Sequence, residues 1–273
     1  MSKKISVPFI KIHGNGNDFI FFEAAALPTE LTRETIVFLA DRHKGIGADG
    51  ILIMEDEQNY DFRMIYYNRD GKRVDFCGNG GRCIAHLAAQ RLGKQELKFI
   101  ADDGEHLATC SGENLVSLLM SPASFPENPL LHEILNQADM PIEGYLFINT
   151  GVPHIVVEIS CDSIEEFLQV PLTDWARPIR YHSSFPEGVN VNVTALIEDE
   201  IYQRTYERGV EDETLSCGTG SVAIAWYWAN TKKLKRPSYS IHTTGGINSV
   251  SFDKNIPLLT GQVHPVFEGT ILL

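Results

Sequence analysis

The chain has 273 residues, 43% hydrophobic and 22% charged, with a formal net charge of −13. That length allows one large domain or two of ordinary size around a sizeable core, and so acidic a balance excludes a general nucleic-acid backbone binder, which needs a basic face. No apolar run approaches the roughly 18–20 residues that span a bilayer, so no membrane partner is expected.

The N-terminal stretch MSKKISVPFIKIHG is interrupted by Pro8 and Lys11 and does not read as a signal-peptide core. Five cysteines, an odd number, do not read as a disulfide framework, and a reducing cytoplasm is the expected compartment. Residues 5–23 read as strand, turn and strand, the turn being His13-Gly14-Asn15-Gly16-Asn17-Asp18. Thr32 opens a helix that stops near Gly45, and Ile51–Met54 and Phe62–Tyr67 read as a pair of strands. Gly81 to Leu92 reads as a helix apolar nearly all round, hence buried on nearly all sides. Short strands are expected near 97–100, 106–110 and 115–120. Three prolines between Ser121 and Pro129 then mark the best boundary in the chain.

The second half repeats the plan. Leu130–Ala138 reads as a short helix, Tyr145–Ile148 and Ile155–Ile159 as strands about a turn, and Asp162 as the cap of a helix through Leu168. Gly188 to Val193 alternates strictly and Tyr202–Tyr206 is the strand that follows, leading to a second all-round apolar helix, Val222–Ala229. The last 45 residues read as strands with turns at Gly245-Gly246, Asn255-Ile256-Pro257 and Glu268-Gly269. A repeat this long is not a solenoid. Two pseudo-symmetric α+β halves fit it.

The repeat is sharpest around two cysteines. Cys77 lies in YYNRDGKRVDFCGNGGRCIAHLAA and Cys217, 140 positions later, in YERGVEDETLSCGTGSVAIAWYWA; no gap is needed to superpose them. Each stands at a glycine-rich helix start, where unsatisfied N–H groups and the helix dipole favour a thiolate. The same donors suit a substrate carboxylate and the charge that develops on it when the α-proton leaves. Two such sites serving one cleft suit removal of a proton by one cysteine and delivery by the other, a cofactor-independent racemisation or epimerisation. Cys83, Cys110 and Cys161 lack this setting and read as core or incidental. No Cys-Xaa-Xaa-Cys or close His–Cys pair accompanies Cys77 or Cys217, so a zinc site is not expected.

The segments HGNGNDF at 13–19, GIGADG at 45–50, NRDG at 68–71, CGNGGRC at 77–83, PH at 153–154, GVN at 188–190, YERGVEDET at 206–214 and CGTG at 217–220 resemble diaminopimelate epimerase across almost the whole chain. The resemblance implies two pseudo-symmetric α+β domains, each a strongly curved, mainly antiparallel sheet wrapped around a central buried helix. It implies interconversion of LL- and meso-2,6-diaminopimelate in lysine and peptidoglycan-precursor synthesis, without a cofactor, by a homodimer. Cys77 and Cys217 then fall on the acid–base pair, and His154 and Glu207 on groups that assist it. Gly78, Asn79, Gly218 and Thr219 fall on donors to the α-carboxylate, and Asn17, Asn68, Asn190, Glu207 and Arg208 on polar substrate contacts. The expected halves are 1–124, to which a C-terminal strand at 262–273 returns, and 125–261.

The chain departs from that pattern at Val152, where many members carry Asn, at Gly50, where some carry Gln, and in Glu211-Asp212-Glu213. The far end of the substrate is therefore expected to meet fewer amides. Two other readings are a proline or hydroxyproline racemase of the same superfamily and a non-catalytic amino-acid-binding protein. Neither explains Glu207-Arg208 together with thiols in both halves.

Overall fold

A computed structural model of the chain describes residues 4–112, 114–128, 130–137 and 141–273. The first three residues of the N-terminal stretch, the last proline of the expected boundary and the end of the helix expected through Ala138 lie outside the described residues. The described chain forms two compact units, one running to Leu118 and rejoined by Gly261–Leu273, the other Leu119–Thr260.

In the first unit β1 (Ser6–Gly14) and β2 (Asn17–Glu23) form a hairpin whose turn residues Asn15 and Gly16 both take positive φ, as a two-residue turn demands. The Thr32 hydroxyl caps α1 (Arg33–Ala40) by accepting from Thr35 N–H. The helix ends at Asp41, short of Gly45, because the Asp41 carboxylate takes the His43 and Lys44 N–H groups. β3 (Gly50–Glu55) runs parallel to β2 and antiparallel to β4 (Phe62–Asn68), and the short β5 (Arg73–Val74) turns back on β4. Then comes α2 (Gly78–Leu92), closed by Gly93 in the left-handed conformation. After it β6 (Glu96–Ala101), β7 (Gly104–Ser111) and β8 (Leu115–Leu119) complete the order β1-β2-β3-β4-β6-β7-β8. α2 packs against β1, β2, β3, β4, β6 and β7, which explains a helix buried from Gly78 to Ala88 on every side.

The second unit opens with α3 (Leu131–Asn136), followed by β9 (Ile142–Asn149) and β10 (Pro153–Ile159). Ser163, one residue after the expected Asp162, caps α4 (Ile164–Gln169). α5 (Leu172–Arg180), for which no helix was expected, holds Pro178 within it; it forms because Leu172, Ala176 and Ile179 bury one face in the unit's core. β11 (Asn190–Ile197), β12 (Glu200–Glu207) and the short β13 (Asp212–Thr214) precede α6 (Gly218–Trp226), which continues as a π turn through Thr231. β14 (Tyr239–Thr243), β15 (Gly246–Asp253) and β16 (Ile256–Leu272) end the chain.

The pairings of the first unit recur. β9 and β10 are antiparallel, β10 and β11 parallel, β11 and β12 antiparallel, β12 and β14 parallel, β14 and β15 antiparallel. α6 packs against β10, β11, β12, β14 and β15. Each unit is thus a strongly wrapped α+β sheet about one apolar helix. β16 runs on without the turn expected at Glu268-Gly269, and its residues from Val263 pair antiparallel with β1. Gly269 sits opposite Phe9, whose ring stands 2.8 Å from where a Cβ would be; this glycine marks a close approach under an aromatic ring, not a turn.

Candidate active site

Both cysteines are N-caps. Cys77 (φ −141°) and Cys217 (φ −117°) have extended backbones while their carbonyls already accept the first helical hydrogen bonds, from Gly81 and Ser221. Both helices start at Gly78 and Gly218, three or four residues before the expected Gly81 and Val222. Glycine is a poor helix former, but these turns are held by docking of the whole helix. The first-turn N–H groups of residues 78–80 and 218–220 therefore lie beside each sulfur, where they suit an anion.

In the first unit Asn17, Cys77 and Asn79 meet. Asn17 Nδ2 donates to Asp49 Oδ2 at 3.0 Å, which turns Oδ1 towards Cys77 Sγ at 3.7 Å and Asn79 Nδ2 at 3.3 Å. Asp49 is fixed by Arg42, which also grips Asp18 with two bonds of 2.8–2.9 Å, and Lys11 adds a 2.7 Å contact to Asp18. These partners hold the Asp18 carboxyl well below the usual range despite its burial. Asn79 accepts at 2.6 Å from Arg82, a guanidinium with no exposure whose burial pushes it down to about 10. Asn68 ends β4 with Oδ1 taken by the Tyr66 hydroxyl at 2.5 Å. A Cβ on Gly50 would lie 2.5 Å from the Tyr66 ring, so in this chain the tyrosine fills the room a side chain at 50 would need.

The second unit gathers His154, Asn190, Glu207, Arg208, Cys217 and Thr219. His154 was expected to assist a cysteine; its ring is fully buried and its Nε2 lies 2.9 Å from Thr219 Oγ1, which in turn lies 3.4 Å from Cys217 Sγ. Burial, reinforced by nearby Arg208, pushes His154 down to about 3, so the ring is neutral near pH 7. Asn190 pairs with His154 across β10 and β11 and accepts from Arg208 N–H at 2.7 Å. Arg208 Nη1 donates to the Glu187 carbonyl, and Glu207 Oε2 accepts from Thr214 at 2.9 Å. The acidic triplet is engaged within its own unit: Glu211 with Arg180 and Glu213 with Arg204, both at 2.6 Å. Val152 stands in the turn before β10, where its carbonyl accepts from Thr150 N–H.

Sequence reasoning missed the polar layer beneath α6. Asn192, Gln203, Thr205, Ser221 and Asn248 have 0–2% exposure yet are bonded to one another. The alternation in β11 signalled it: Val189, Val191 and Val193 enter the apolar core with α5, so Asn190 and Asn192 had to face α6. Of the other cysteines, read as core or incidental, only Cys83 is fully core; Cys110 and Cys161 are partly buried. Cys83 has no exposure and burial pushes its thiol up, as it does those of Cys110 and Cys161. Among the described residues no three His, Cys, Asp or Glu side chains cluster as metal ligands, and no helix is long and apolar enough to cross a membrane.

Comparison with known proteins agrees with these motifs. The diaminopimelate epimerase family matches residues 9–126 and 146–264. The chain is 38% identical to diaminopimelate epimerase of Flavobacterium psychrophilum, over 96% of this chain and 98% of that one. It is 37% identical to that of Archaeoglobus fulgidus, over 98% and 97%. Among solved structures, a phenazine biosynthesis protein from Bacillus anthracis superposes with a TM-score of 0.71 at 17% identity, covering 98% of this chain and 100% of that one. A hydroxyproline epimerase from Agrobacterium vitis gives 0.63 at 16%, covering 98% and 93%. These two share the fold.

Proposed function

The chain belongs to the diaminopimelate epimerase family, and from that premise we propose that Cys77 and Cys217 invert one α-carbon of 2,6-diaminopimelate by two-base proton transfer. One sulfur, as thiolate, takes the α-proton: an S–H bond forms, the C–H bond breaks, and the electron pair stays on the carbon and its carboxylate. The other sulfur, as thiol, gives its proton to the opposite face. The observation that carries this reading is the repeated cysteine N-cap. Each places a sulfur beside N–H groups that suit a carboxylate and gain strength as charge builds on it.

Gly78, Asn79, Gly218 and Thr219 supply those donors. Asn17, Asn68, Asn190, Glu207 and Arg208 read the rest of a doubly zwitterionic amino acid. His154, neutral and one hydroxyl removed from Cys217, is a positioning residue in this account. The enzyme works without a cofactor, in the cytoplasm, on the route to lysine and peptidoglycan precursors, as a homodimer.

Purified protein incubated with LL-diaminopimelate alone is expected to yield the meso isomer by chiral chromatography. Inversion of proline or hydroxyproline with none of diaminopimelate would reassign the substrate. A single homodimer peak by sedimentation tests the assembly.

A further inference from the structure

The polar layer beneath α6 has a direction. Asn248 Nδ2 donates to Ser221 Oγ at 2.9 Å, Ser221 to Gln203 Oε1 at 2.6 Å, and Gln203 Nε2 to Thr205 Oγ1 at 2.9 Å and to the Cys217 carbonyl at 3.0 Å. Thr205 donates to Asn192 Oδ1 at 2.9 Å. Asn192 Nδ2 lies 3.0 Å from the Ile155 carbonyl and 3.0 Å from His154 Nδ1. A carbonyl only accepts, so this nitrogen is the amide NH2 and His154 Nδ1 must accept as well. The neutral ring then carries its proton on Nε2, which donates to Thr219 Oγ1 at 2.9 Å. The other tautomer would set two N–H donors against each other at 3.0 Å. The approach of Asn190 Nδ2 to Nε2, at 3.4 Å, is too long to decide otherwise. With its oxygen already accepting, the Thr219 hydroxyl has its hydrogen left for Cys217 Sγ, 3.4 Å away.

We infer that the Thr219 hydroxyl is a hydrogen-bond donor to the Cys217 sulfur, and that His154 and Asn192 are positioning residues that fix its direction. This deepens the two-cysteine reading and rests on it. When Cys217 is thiolate the O–H···S bond stabilises it; when the sulfur takes the α-proton that bond weakens, and it re-forms when the proton is given up. No proton leaves Thr219. Cys217 has no equivalent of the Arg82 guanidinium behind Cys77, since Val222 occupies that place in the repeat. The charge of Arg208 bears on His154, and the neighbouring Glu207 carboxylate is held by Thr214.

The test reads the sulfur without substrate. In a background carrying Cys77→Ser, Cys110→Ser and Cys161→Ser, thiolate absorbance titrated against pH reports Cys217, because full burial pushes the one other thiol, Cys83, up. Thr219→Val is expected to raise the Cys217 midpoint by about one to two pH units, the scale of a lost hydrogen bond to a charge. Thr219→Ser should leave it in place. A midpoint unmoved by Thr219→Val, in protein with unchanged circular dichroism, would overturn the assignment. Nitrogen NMR of labelled histidine is expected to show His154 protonated on Nε2 and bare on Nδ1 in wild type, and the opposite tautomer would equally overturn it. Both readouts stand whether or not diaminopimelate proves to be the substrate, so failure of that reading is separately visible.

Discussion

Gly80 and Gly220 hold the same place in the two cysteine motifs, yet alanine is expected to behave differently at each. A Cβ on Gly220 would lie 2.4 Å from Asn192 Oδ1 and 2.9 Å from Gln203 Nε2, both fixed in the buried layer. Displacing either leaves a buried donor or acceptor unsatisfied, at about 1–3 kcal/mol, and crowding adds about 1–3 kcal/mol. Alanine returns about 0.5–1 kcal/mol of helix propensity, so the sum for Gly220→Ala spans about 1–5.5 kcal/mol and centres on about 3 kcal/mol. For a unit of this size that lowers the melting temperature by roughly 5–10 °C. On Gly80 the nearest atoms are Leu52 Cδ2 at 3.1 Å and Met64 Cε at 3.4 Å, the far ends of flexible apolar side chains. Gly80→Ala should therefore stay within about 1 kcal/mol of wild type. Calorimetry of both variants decides it. Equal losses would refute the claim that the layer under α6 is rigid.

Cys77→Ala and Cys217→Ala should each reduce inversion by at least about 10²–10⁴-fold, the usual worth of a positioned acid or base, measured by meso product formation. Arg82→Met should cost about 1–3 kcal/mol, because buried Asn79 loses its donor, and slow alkylation of Cys77 several-fold, because a buried cation favours the thiolate; mass-spectrometric peptide mapping reads this directly. Asp18→Asn should cost about 2–3 kcal/mol at neutral pH, since buried Lys11 loses its carboxylate while half-exposed Arg42 keeps Asp49. The folded-state pKa of Asp18 is depressed, so its contribution is fully present above the unfolded value near pH 4. It is lost as pH falls through the folded value, and the gap between variant and wild type in denaturant unfolding should close on acidification. The pH–rate profile should show no His154 ionisation between about pH 5 and 9.

The architecture was legible where one residue type has one physical use. Asn15-Gly16 could only be a turn, and helices apolar on all sides could only be wrapped by strands. The cysteine motifs were legible because glycines and a thiol at a helix start expose donors that little else would need. Legibility failed where a residue has two uses. Gly269 reads as a turn and is a close contact under Phe9, and Pro178, a residue that ordinarily breaks helices, is tolerated because its helix buries a strong apolar face. Asn192, Gln203 and Thr205 are polar strand residues of the kind that ordinarily face water. They are dry because α6, with Gly220 against them, covers that face. His154 was recognisable by its neighbour Pro153, but that it reaches the sulfur through Thr219 is a matter of distance, which spacing in sequence does not hold.

The two-base mechanism meets its most direct trial in D₂O with LL-diaminopimelate, stopped at low conversion. The account predicts that meso product carries one α-deuterium while unreacted substrate keeps its protium, because the cysteine that removes the proton is not the one that returns it. Deuterium appearing in recovered substrate as fast as in product, or undiminished inversion after Cys77→Ala or Cys217→Ala, would contradict it.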